Sequence, residues 1–113
     1  MRWATYKALC DRPDYWSRWM LEQCVDLFEQ LDEPALVAKL TRVMQGQPLD
    51  TPPDHAGGRD VAMFRLDLSK AETLQAAAAV RRAIAEGLTT PATQGRGLGG
   101  FLEAWQEYAA YRA

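Results

Sequence analysis

Apolar residues recur at helical spacing in four stretches of the chain and alternate with polar ones in a fifth, shorter stretch. From about Tyr15 to Leu31, Trp16, Met20, Cys24, Leu27 and Leu31 fall on one stripe, flanked by Leu21, Val25 and Phe28. Arg18, Glu22, Asp26 and Glu29 lie opposite. This is the pattern of an amphipathic helix. Asp11-Arg12-Pro13-Asp14 precedes it, so either aspartate is expected to cap it with Pro13 in the first turn, which leaves Ser17 in mid-helix.

Asp32-Glu33-Pro34 ends that helix and starts the next, with Asp32 as the expected cap and Pro34 in the first turn. Leu36, Val37, Leu40, Val43 and Met44 form its apolar face, and Gly46 stops it. So short a turn predicts an αα-hairpin. Residues 46–60 are crowded with Pro, Gly and Asp and read as a loop, a long one for a compact domain.

Residues 61–68 carry the alternating pattern. Phe64, Leu66 and Leu68 are apolar while Arg65 and Asp67 are polar, which predicts a half-buried strand. Val61, Phe64 and Leu68 also fit a helical turn. The strand is preferred because Ser69 begins a helix afresh. A lone strand needs a partner, expected from residues 2–9 or from a second copy of the chain. Ser69-Lys70-Ala71-Glu72 has the form of a capping box, and its helix runs to about Glu86 before Gly87. Counted from Leu74, the apolar sector of this helix holds Ala77, Ile84 and Leu88 and also takes in Arg81. A final helix from about Phe101 to Arg112 presents Phe101, Ala104, Trp105 and Tyr108.

These elements predict a mainly α-helical fold: a compact bundle of about four helices, with one short strand or a two-stranded element. Residues 1–113 are expected to form a single globular domain. The hairpin should pack on the third helix, where Ala76 to Ala79 permit close approach. The fourth helix should complete the core through Phe101 and Trp105.

Composition refines this picture. With 48% hydrophobic and 25% charged residues the chain matches globular averages, which excludes wholesale disorder. The net charge of −2 is spread in mixed signs, with no basic stripe of the kind that grips a phosphate backbone, so nucleic acid is not an expected partner. No apolar run approaches the ~20 residues of a membrane span. The charged N-terminus does not read as a secretion signal. Cys10 and Cys24 are therefore expected to be reduced thiols in a cytoplasmic protein. Arg outnumbers Lys ten to three, the mark of a GC-rich, bacterial-like genome rather than of a function.

Four features bear on chemistry. Trp3, Tyr6, Tyr15 and Trp19 crowd the N-terminal region; aromatics of this kind, beyond what the core stripe needs, anchor protein interfaces. Gly97 and Gly99, with Arg96 among the glycines 95–100, directly precede a helix, and backbone N–H groups at such a place can hold an anion. The spacing matches no established phosphate-binding fingerprint. Arg81, on an apolar helix sector, requires a carboxylate, a carbonyl or a bound anion. His55 is the only histidine and lacks the companions that catalysis or zinc binding needs. Helix carboxylates such as Glu22 with Asp26 and Glu103 with Glu107 read as a solvated face. No catalytic set, metal site or cofactor is predicted, and the reading leans away from an enzyme. The leading expectation is a non-catalytic interaction module, with a protein partner or self-association as a homodimer through Trp3, Tyr6, Tyr15 and Trp19. The alternative is a small anionic ligand or phosphate held by Arg81, Arg96, Gly97 and Gly99.

Overall fold

A computed structural model of the protein describes residues 8, 11–46, 48, 62–91, 93–95 and 97–113. Their elements run β1 (Tyr15–Ser17), α1 (Arg18–Gln30), α2 (Pro34–Met44), β2 (Met63–Arg65), α3 (Lys70–Glu86) and α4 (Gly99–Arg112). This is the mainly α-helical bundle read from the sequence, with β1 and β2 paired as a two-stranded antiparallel sheet. No described helix is long and apolar enough to cross a membrane. Most of the loop at 46–60, including His55, lies outside the described residues, as do Val61 and Cys10.

The start of the first helix differs from expectation. Neither Asp11 nor Asp14 caps it. Tyr15 to Ser17 are extended, and Ser17 itself is the N-cap, its hydroxyl accepting from Met20 N–H at 3.1 Å. The strand partner expected from residues 2–9 or a second copy is therefore Tyr15–Ser17, with Tyr15 opposite Arg65, Trp16 opposite Phe64 and Ser17 opposite Met63. Flanking bonds lengthen this ladder: Leu66 N–H donates to the Asp14 carbonyl at 2.7 Å and Arg18 N–H to the Ala62 carbonyl at 2.9 Å. Aromatic residues suit such a pleated, half-buried position. Trp16 and Phe64 turn inward, while Arg65 faces out.

Asp32 is also reassigned. It closes α1 in the left-handed region at φ 55°, with its own N–H on the Glu29 carbonyl and Glu33 N–H on the Phe28 carbonyl. That is the double bond of a Schellman ending, in which a short polar side chain tolerates the positive φ. Glu33 takes the N-cap position of α2 without a side-chain bond, and Pro34 supplies the preset φ of the first turn. α3 behaves as read: Ser69 and Glu72 form the capping box, and Gly87 at φ 72° ends the helix.

The core gathers on Trp105. Its ring lies 4.5 Å from that of Trp16 and 6.2 Å from those of Phe28 and Tyr108. Leu21, Cys24, Leu27, Leu36, Leu40, Leu66, Leu68 and Val80 are buried around it. α3 turns a different face inward from the one its large side chains suggest. Thr73, Ala76, Ala77, Ala79, Val80 and Ala83 are buried, whereas Leu74 and Ile84 are exposed. Small residues let α3 lie close along α4, its most extensive neighbour, and the larger side chains are left outside. The α1–α2 hairpin forms and is tied to α3 by polar contacts. Arg82 donates to the Leu31 carbonyl at 3.0 Å and pairs with Glu33 at 3.2 Å, while Gln75 donates to Glu33 at 3.0 Å.

Candidate interaction surface

Of the four aromatic residues expected to meet a partner, Tyr15 and Trp19 are among the described residues, while Trp3 and Tyr6 lie outside them. Trp19 sits in the first turn of α1 and remains 54% exposed. Its ring is 6.4 Å from that of Phe101, near the start of α4. Phe101 is buried and backs the indole, so one face of Trp19 is supported by the fold and the rest meets water. Ser17 fixes this turn through its cap, which holds the indole on a rigid element rather than on a loop.

Tyr15 points to the outer side of the β1–β2 pair and is half-buried. The Arg12 guanidinium lies over its ring, 5.2 Å from the centroid, a distance at which a cation and an aromatic face attract. Tyr15, Met20, Ala104 and Glu107 line a shallow cleft of about 160 Å³ between β1, the start of α1 and α4. Ala104 follows Phe101 by one turn of α4. Tyr15 and Trp19 thus both lie beside α4, one through the cleft and the other through Phe101.

The residues of the anionic-ligand alternative fare differently. Arg81, expected on the apolar sector of its helix, is exposed, and among the described residues it makes no hydrogen bond or ion pair. Hydration of the exposed guanidinium removes the need for a buried partner. Gly97 adopts φ 79°, a conformation that favours glycine, but its N–H already donates to the Thr93 carbonyl at 3.1 Å. Thr90 and Thr93 are buried and hold this turn with a 2.7 Å bond from Thr90 N–H to Thr93 Oγ1. Gly99 opens α4 and has open space around the position of a Cβ. Arg96 lies outside the described residues. No hydrogen bond or ion pair joins Arg81 to Gly97 or Gly99. Among the described residues no group of His, Cys, Asp and Glu is arranged to hold a metal ion.

Sequence reasoning missed a polar cluster at the other end of α4. Asp14 is buried, and its carboxylate receives Arg12 Nε on Oδ1 and Arg12 Nη2 on Oδ2, both at 3.0 Å. Arg65 Nε approaches Oδ2 at 3.4 Å, and the Tyr111 hydroxyl donates to it at 3.3 Å. Arg12 Nη2 also donates to Tyr111 Oη at 3.1 Å. The Asp14 carboxylate raises the pKa of Arg12, with a smaller contribution from Tyr111. Nearby, Arg112 pairs with Asp67 at 3.8 Å. No local pattern reveals this cluster, because an aspartate after a proline reads as a local cap, while its partners lie up to 97 residues away.

The fold and surface define a small helical protein with supported, outward-facing aromatic residues. Comparison with protein-family models, with curated proteins and with solved structures finds no match.

Proposed function

We propose that the protein is a non-catalytic interaction module that works through protein–protein contact on the side bearing Tyr15 and Trp19, with a second copy of the chain as the partner. Trp19 carries this reading. A large aromatic side chain that is more than half exposed, yet backed by a buried Phe101 on a capped helix, is ordered before it binds. Preorder of this kind lowers the entropy lost on association, and Trp is enriched among the residues that dominate binding energy. Tyr15 extends the surface through the cleft on α4. Anion capture by Gly97, Gly99, Arg81 and Arg96 has less support, because the Gly97 N–H is already engaged.

Light scattering coupled to size exclusion, over a range of concentrations, tests the reading. The expected result is a mass that rises above 12.7 kDa with concentration and a Trp19→Ala variant that stays monomeric. A wild-type chain that remains at 12.7 kDa throughout, or a Trp19→Ala variant that associates as the wild type does, overturns it.

A further inference from the structure

We infer that Arg12 and Arg65, gathered over Asp14, form a receptor for an external oxyanion, either a carboxylate or a phosphate monoester. This goes beyond the interaction reading and does not depend on it. Among the described residues two guanidinium groups share the Asp14 carboxylate, with Arg65 on the longer contact, while Asp11 and Glu107 line the cleft on the Arg12 side. Asp67, the next acid along, is already paired with Arg112. Asp14 is 1% exposed, whereas the side chains of Arg12 and Arg65 are 44% and 64% exposed. The acid is thus a buried floor, and the bases stand on it facing water.

Burying the Asp14 carboxylate carries a desolvation cost that its bonds to Arg12, Tyr111 and Arg65 must offset. What the burial achieves is position. Arg12 is held by two parallel bonds in a planar fork, the geometry that fixes a guanidinium best. Arg65 is held less firmly. Oδ2 has two lone pairs but three suitors, Arg12 Nη2 at 3.0 Å, Tyr111 Oη at 3.3 Å and Arg65 Nε at 3.4 Å. Arg65 comes last, and among the described residues nothing takes its Nη1 and Nη2 groups. Both arginines reach the same oxygen of Asp14, and both side chains remain substantially exposed to water. A planar carboxylate or a phosphate taken in the fork of Arg65 would receive two parallel charge-assisted bonds. The Tyr111 hydroxyl, between Arg12 and Asp14, stands beside it.

The arginine Nε–H resonances of the full chain report on this site directly. The chain is titrated at constant ionic strength with sodium phosphate, with phenyl phosphate and with sodium acetate, each against chloride. Saturable shifts of the Arg65 and Arg12 signals are expected in the millimolar range. Saturation with the phosphates alone assigns a phosphate monoester, with acetate alone a carboxylate, and with all three a general oxyanion site. Arg65 is exposed, so its variants should fold, and circular dichroism checks this. Arg65→Gln is expected to weaken binding by about tenfold or more, and Arg65→Lys several-fold, because lysine keeps the charge but loses the fork. Shifts that grow linearly without saturating, or that are unchanged in Arg65→Gln, overturn the proposal. So does an Arg65→Lys chain that binds as the wild type does.

Discussion

Cys24 and Trp105 meet in the middle of the core, and each has a polar atom that the surroundings barely serve. The indole N–H of Trp105 finds no hydrogen-bond partner among the described residues. It favours a thiolate at Cys24 slightly, but burial dominates and pushes the thiol up to about 12. Cys24 is therefore a small apolar core residue rather than a reactive one. The consequence for stability has a definite sign. Below the ordinary thiol value of 9.0 both folded and unfolded chains keep the proton, and the stability from this site is complete. Between that value and about 12 only the unfolded chain loses it, so stability falls with rising pH by about 1 kcal/mol per unit. Urea unfolding of wild type and Cys24→Ala across this window should diverge, with the steeper alkaline loss in the wild type. Parallel curves would show that burial of this thiol contributes nothing to the alkaline response.

Helix ends carry the specificity at the scale of elements. α1 and α3 both begin on a serine whose hydroxyl accepts from the third residue beyond it, at 3.1 Å in each case. In α3 the Glu72 carboxylate returns a 2.8 Å bond from Ser69 N–H, and that bond is the main reason its pKa is lowered. The Ser69 box is visible in the sequence because all of its parts are local. The Ser17 cap is hidden by the run of helix-compatible residues before it, which the pairing with β2 draws into a strand. Ser17→Ala should cost about 1 kcal/mol, the usual loss for such a cap. It should also loosen the turn that presents Trp19. Thermal unfolding and the exchange rate of the Met20 amide together check this, and an unchanged amide would count against the assigned cap.

For the whole molecule, Tyr108 is the cross-brace. It is buried in α4, yet its hydroxyl accepts the Leu68 N–H at 3.0 Å, joining the last helix to the segment between β2 and α3. Desolvation is the main cause of its raised pKa. Tyr108→Phe keeps the ring against Trp105 but leaves a buried N–H without an acceptor, which typically costs about 1–3 kcal/mol. Equilibrium denaturation followed by tryptophan fluorescence should show that loss in a single transition. A stability equal to wild type would mean that the bond is replaced by water.

Local sequence determined the helices, the capping box, the Gly87 ending, the αα-hairpin and the alternation from Phe64 to Leu68. Each depends on residues within a turn or two of one another, where spacing alone fixes which side chains share a face. It also marked Trp19 as a side chain beyond what the core stripe of α1 needs. Tertiary structure decided what depends on distant partners. The strand at Tyr15–Ser17 exists because Met63–Arg65 pairs with it. The inward face of α3 is the alanine face because α4 lies close beside it, leaving Leu74, Arg81 and Ile84 outside. Asp14 becomes the floor of an arginine pair instead of a helix cap because Arg65 and Tyr111 arrive from remote parts of the chain. A short polar residue before a helix has the same local preferences in either role, and only the groups that fold against it choose between them.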